Sequence, residues 1–240
     1  MTRFAIAIVL QFAVLLPAAS AHYLFVEIES KEGEHGQMNL YFEEAPRPGD
    51  GGYLDPFIAR SESWLRTAGA EAVPVKLNEV KVEEKNQRWL SGPLPGSGPR
   101  AVESTCVFGV YRYGQTDVLL NYYAKCIEAE SAEQLKELGR SDKLRLEIRP
   151  TWSEGELRAE VLWEGKPAAD TAVFLRGAAI SANVKTDAAG IVVLKPEKPG
   201  RYTLRAYYQE PGLAGTYEGK EYSEVRHHSS LTIHLPIGEK

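Results

Sequence analysis

The sequence predicts a mostly β protein of two domains: a β-rich N-terminal domain with long loops, then an immunoglobulin-like or transthyretin-like β-sandwich. Three observations carry that expectation. The second half of the chain is a succession of short runs in which apolar residues alternate with polar ones, the period of a strand with one buried face. Turn chemistry separates these runs, as at Glu164-Gly165-Lys166-Pro167, Ala188-Ala189-Gly190 and Lys198-Pro199-Gly200. The first half has similar runs but interrupts them at residues 43–52 with a stretch too rich in Pro and Gly for either regular state.

The chain opens on Arg3, an apolar run from Phe4 to Leu16 and the small residues Ala19-Ser20-Ala21. That order is the pattern of an export signal over residues 1–21, with cleavage after Ala21. No later stretch approaches the ~20 apolar residues of a spanning helix. The mature chain is therefore expected in the periplasm or secreted, with no membrane span after cleavage. It divides into residues 22–140 and 141–240, with the polar stretch 128–142 as the boundary.

In the first domain, strands are expected at residues 23–28 and 38–42, a short amphipathic helix at 55–67 and a second at 132–138, where Leu135 and Leu138 share a face. In the second domain, the alternating sets are Leu144, Leu146, Ile148; Leu157, Ala159, Val161, Trp163; Val173, Leu175; and Leu231, Ile233, Leu235, with further runs at 191–194 and 202–208. About seven strands in ~100 residues is the pattern of a sandwich.

Charge narrows the function. The chain carries 28 basic and 33 acidic side chains, a formal net charge of −5, with no basic run. Nucleic acid is a poor partner for such a surface, because its backbone demands clustered Lys and Arg. No Ser-His-Asp order, paired-carboxylate motif or nucleotide loop stands out. The only two cysteines, Cys106 and Cys126, flank the turn Gly114-Gln115-Thr116-Asp117. In an exported chain they are expected to form a disulfide that staples this hairpin.

The chemistry that stands out is histidine. Cleavage after Ala21 makes His22 the first residue, with a free α-amine whose pKa near ~7.7 lets it shed its proton at modest cost. That amine and Nδ1 can close a chelate ring on one ion, and one more imidazole completes a histidine brace, an arrangement suited to Cu(II) or Ni(II). The other N-terminal copper motif needs histidine third, where Leu24 stands. The partner candidates are His227 and His228, just ahead of the last strand. Alternation points them to opposite faces, with Leu231, Ile233 and Leu235 facing the core and His228 sharing the other face with Thr232 and His234, so one of the two at most can serve. His35, in the turn Glu34-His35-Gly36-Gln37, and His234 read as solvent-facing residues. Glu43, Glu44 and Glu221 are carboxylates available to complete a site.

Several short motifs, Ala21-His22-Tyr23-Leu24-Phe25, Tyr41-Phe42-Glu43-Glu44-Ala45, Leu119-Leu120-Asn121-Tyr122-Tyr123-Ala124-Lys125 and Trp163-Glu164-Gly165-Lys166-Pro167, together with the ending around His227-His228-Ser229-Ser230-Leu231, resemble an exported bacterial family. Its members carry a domain of unknown function associated with nickel and cobalt uptake components, the NikM-like periplasmic proteins, with a transthyretin-like or carboxypeptidase-regulatory-like C-terminal sandwich. The resemblance implies a periplasmic, metal-associated role. Within it, His22 matches the mature start and His227 or His228 the histidine leading into the last strand.

The expected function is therefore a non-catalytic protein that binds one divalent transition metal, copper or nickel/cobalt, for uptake or handling, with a membrane metal transporter as possible partner. Two other readings stay open. One is a copper-dependent oxidative enzyme with Trp64 and Trp89 as sugar platforms. The other is a metal-free interaction module at the cell surface that uses the loops at 49–53 and 210–224.

Overall fold

The computed structural model describes residues 22–30 and 35–238. The expected export signal falls on residues 1–21, outside the described residues. The chain is mostly β.

The N-terminal half contributes β1 (Tyr23–Glu29), β2 (Gln37–Glu43), α1 (Asp55–Arg60), β3 (Glu62–Thr67), β4 (Val73–Pro74), β5 (Asn78–Val82), β6 (Gln87–Pro93), β7 (Arg100–Tyr113), β8 (Thr116–Glu128) and α2 (Ala132–Leu138). After these come β9 (Leu146–Ser153), β10 (Glu156–Trp163), β11 (Lys166–Pro167), β12 (Ala172–Gly177), β13 (Ile180–Lys185), β14 (Ile191–Leu194), β15 (Gly200–Glu210), β16 (Gly215–Tyr217), β17 (Lys220–Tyr222) and β18 (Glu224–Leu235).

One eight-stranded sheet, in the order β13-β12-β15-β18-β8-β7-β3-β4, runs through both halves. The join is the parallel pairing of β18 with β8, in which His227 lies beside Asn121 and His228 beside Tyr122. A second sheet, β1-β2-β6-β5, belongs to the N-terminal half, and a third, built on β9, β10, β11 and β14, belongs to the C-terminal half. Two apolar cores result. One gathers Leu24, Val26, Leu40, Phe42, Phe57, Leu120 and Tyr122, and the other Leu146, Trp152, Leu157, Val161, Tyr202, Leu231 and Ile233.

The joining strand β8 is covered on both faces. Its even residues Val118, Leu120, Tyr122, Ala124 and Cys126 enter the first core, while Tyr123 and Ile127 enter the second. That double burial is why Thr116–Glu128 reads as a near-continuous apolar run. Lys125 is the exception. Its ammonium is enclosed, binding the Glu147 carboxylate at 2.9 Å and the Gly139 carbonyl, so it ties β8 to β9 and to the end of α2. Burial pushes the Lys125 pKa down against the pull of Glu147. Removing either partner would strand a charge in the interior.

Two sequence expectations need correction. The helix expected over 55–67 covers only Asp55–Arg60, after which β3 begins. Pro56 suits the first helical turn. Beyond it, Ser63 and Leu65 alternate inward at the strand period, and the Ser63 hydroxyl meets that of Ser104 on β7 at 3.1 Å. The expected disulfide is absent: Cys106 and Cys126 are free and buried. In the hairpin register Cys106 faces Tyr122 and Cys126 faces Val102. Four residues of offset is ~13 Å along a strand, about twice the Cα separation of ~4.4–6.8 Å that a disulfide spans. Burial holds both thiols up at about 12, so they pack as small apolar groups.

Candidate metal centre

His22 immediately precedes β1, whose first residue, Tyr23, is registered against Glu43 at the end of β2. This pairing sets the His22 Nε2 atom 3.8 Å from Glu43 Oε2. The Glu43 carboxylate also accepts the Gly51 N–H at 3.3 Å, and Gly49 lies so close that a Cβ there would meet the carboxylate at 2.1 Å. The Gly-rich stretch after β2 thus folds back around an acid beside His22. Burial pushes the Glu43 pKa up, opposed by the Gly51 hydrogen bond and by His22.

His228 approaches from the other half of the molecule. Strand β18 turns its even residues toward β1, and the Ser230 hydroxyl donates to the Leu24 carbonyl. His228, two residues earlier on that face, stacks on Tyr122 at 5.0 Å between ring centroids and meets Tyr23 edge-on at 5.5 Å. His22 contacts Phe42 at 5.8 Å, and Phe42 meets Tyr122 at 4.9 Å, so a chain of two aromatic rings, Phe42 then Tyr122, runs from one histidine to the other. Both histidines line one cavity of about 210 Å³.

The rest of that cavity is apolar and aromatic. Phe42, Leu120 and Tyr122 rise from the core beneath it, Tyr23 and Phe108 flank it, and Tyr53, Tyr111 and Tyr113 stand exposed among its walls. A β-bulge aims Phe108. The β7/β8 register shifts between Val107 and Gly109, and Gly109 takes φ +114°, where a side chain would be strained. The Phe108 carbonyl freed there accepts Arg60 Nη1 at 2.9 Å.

The two adjacent histidines have opposite circumstances. His227 is fully buried, and both ring nitrogens are engaged: Nδ1 with the Tyr123 hydroxyl at 3.2 Å and Nε2 with Glu210 at 3.1 Å. The neutral ring is assigned as donor from Nε2 to the Glu210 carboxylate and acceptor at Nδ1 from the Tyr123 hydroxyl. Trp163 packs on it at 4.3 Å. Burial, then the Arg145 guanidinium, pushes its pKa down to about 3, and Arg145 also lies 3.7 Å from the Glu210 carboxylate. For His228, neither ring nitrogen has a protein partner, although both are shielded from solvent. Burial, then Arg226, His227 and Arg205, hold its pKa down at about 3.

The expected alternation at His227 and His228 therefore stands, and His228 is the one that shares a cavity with His22. The face expected to carry His228 and Thr232 is covered by β1, with only His234 exposed on it. His35 is exposed as expected. His35 and His234 line a different cavity, with Arg100, Glu128 and Glu130. Glu44 and Glu221 are exposed and line no part of the His22 cavity, and neither do the half-buried Trp64 and Trp89. The aromatic walls were not singled out from sequence. Their only signal was the tyrosine density of residues 108–123, which reads equally as strand core.

Among the described residues, no three His, Cys, Asp or Glu side chains form a metal-ligating group. A brace asks less of the side chains, since two imidazoles suffice when the third nitrogen is the amine of the first residue. An enclosed neutral imidazole with two unpartnered nitrogens suits that donor set, because a buried polar group without a partner is costly.

No protein family matches the sequence, and no curated protein does either. Among solved structures, the chain is similar to the D0-D1 domain of Intimin, at 10% identity over 88% of this chain and 97% of that one, with a TM-score of 0.22. It is also similar to the Bacillus anthracis TIE protein, at 10% identity over 90% of this chain and 39% of that one, with a TM-score of 0.18. Neither likeness carries an argument about this chain. No helix among the described residues is long and apolar enough to cross a membrane.

Proposed function

We propose that the chain is an exported metal-handling protein that, once cleaved after Ala21, binds one divalent transition ion, Cu(II) or Ni(II), through a brace made by His22 and His228. The observation that carries this reading is the shared cavity: His22 and His228 come from opposite ends of the sequence to line it, and His228 brings two enclosed, unpartnered ring nitrogens.

In this brace His22 supplies its α-amine and Nδ1, and His228 supplies one imidazole nitrogen. A bound ion held this way would gain a tetragonal nitrogen field of the kind copper and nickel favour. Glu43 stands 3.8 Å from His22 Nε2, a negative charge outside the ligand set on the side of the ring away from Nδ1. The His228 nitrogens are shielded from bulk water. His227 has no part, its nitrogens being committed to Tyr123 and Glu210. In this reading the protein is a periplasmic or secreted carrier that delivers its ion to a membrane transporter, the role implied by the uptake-associated family it resembles.

The test is calorimetric titration of the exported chain, its His22 start verified by intact mass, with Cu(II) and with Ni(II). One ion per chain is expected. His22→Ala, His228→Ala or an extra N-terminal methionine should each lower affinity by at least the roughly 100-fold that even a lost second-sphere partner can cost. Equal affinity in the methionine-extended chain contradicts the reading, because that chain has no amine at His22. Absence of binding to the intact start favours a metal-free module.

A further inference from the structure

The cavity is far larger than an ion needs. Its 210 Å³ is many times the ~10–15 Å³ that holds one water. No carboxylate lines it, and apart from the two histidines its walls offer rings and one leucine. A brace contributes three nitrogens, whereas a tetragonal ion takes four donors in its plane. The remaining wall residues bring no further imidazole and no carboxylate to the fourth position.

The rings are arranged as surfaces for stacking. Tyr111 and Tyr113 lie 4.9 Å apart at 58°, both exposed, and Tyr111 continues to Phe108 at 6.4 Å. Arg226 sits over Tyr113 at 5.2 Å and is itself held by Glu224. Aromatic faces presented to an open cavity attract another planar π-system by offset stacking or edge contact.

We infer that the ion enters this cavity together with a small planar aromatic chelator, which supplies the donors the chain lacks and stacks on Tyr111 and Tyr113. This rests on the metal reading above and adds the chemical class of what travels with the metal. The chelator fills volume that a lone ion and its waters would leave against apolar walls, so burying its ring adds a favourable hydrophobic term. The cargo is then a metal complex.

Native mass spectrometry and calorimetry test this on the exported chain with four probes: Cu(II) alone, 2,2′-bipyridine alone, Cu(II) with 2,2′-bipyridine, and Cu(II) with ethylenediamine. Ethylenediamine offers two nitrogens and no ring. The expected result is a 1:1:1 complex of chain, copper and bipyridine, with at least tenfold tighter uptake than either component alone and no such gain with ethylenediamine. The double variant Tyr111→Leu, Tyr113→Leu should bind Cu(II) alone as before and lose the gain from bipyridine. The inference is overturned if Cu(II) alone binds and bipyridine merely strips it, if ethylenediamine gives the same gain, or if bipyridine binds equally well without copper. Each of those results leaves the brace standing. Failure of Cu(II) to bind under any condition removes the metal reading itself.

Discussion

His227 and His228 are neighbours on one strand, both with pKa values held near 3, yet the first is finished and the second is not. His227 faces the C-terminal core with Tyr123, Glu210 and Trp163 satisfying and covering it. His228 faces the N-terminal layer, where its ring lines a cavity and its enclosed nitrogens have no partner. The difference teaches that a histidine pair is not a functional unit by adjacency. Strand alternation splits the pair between two cores, and only the ring left with unspent hydrogen-bonding capacity is available for a ligand.

The sharpest way to break this contrast is to truncate each ring in turn. His227→Ala removes packing and the hydrogen bonds to the Tyr123 hydroxyl and Glu210, at a cost of about 2–4 kcal/mol. The expected drop in thermal midpoint is roughly 5–15 °C. His228→Ala opens an existing cavity further and breaks no hydrogen bond, so calorimetry should show a clearly smaller drop. Equal losses would mean that His228 is as structural as its neighbour.

Acid should expose what the two rings share. Each is held neutral in the fold, so protons bind the unfolded chain preferentially. Their contribution is intact above the ordinary value of 6.5 and is lost as pH falls toward about 3. Each ring adds a slope of up to about 1.4 kcal/mol per pH unit inside that window. Urea unfolding between pH 7 and 4 should therefore steepen downward, and His228→Phe should flatten it by one histidine's share. An unchanged slope would mean that the His228 ring protonates inside the fold.

The smallest expected effect is that of the thiols. A reductant should leave the melting temperature unchanged, intact mass should show two unpaired cysteines, and a thiol reagent should modify both only after unfolding. A melting temperature lowered by the reductant would instead indicate a bridge.

Much of the fold was legible in the sequence. The helix at Ala132–Leu138 and the turn between β7 and β8 match, because capping by Ser131, the Leu135 and Leu138 spacing and a Gly-containing turn are local signals. Strand β13 was missed because its residues only alternate between half-buried and exposed on a sheet edge, leaving no apolar stripe to read. Residues 62–67 extend the expected helix because apolar residues at spacing three or four also occur by chance in a strand whose buried set includes a serine.

The even face of β18 misled differently. Ser230 and Thr232 carry no apolar signal for burial, but β1 covers them, and that packing joins residues some two hundred positions apart. The same long-range register decides between the two histidines. His22 was visible as chemistry, and the choice of His228 was not, because it depends on which neighbours β8 and β1 bring to each face.

The central claim is that the ion is held by His22 and His228 and not by His227. Spin resonance of the exported chain loaded with one equivalent of Cu(II) reads this directly from the nitrogen hyperfine pattern. The account predicts a tetragonal signal with coupling from three protein nitrogens, retained in His227→Ala and reduced to two in His228→Ala. A pattern unchanged in His228→Ala, or lost in His227→Ala alone, would contradict it.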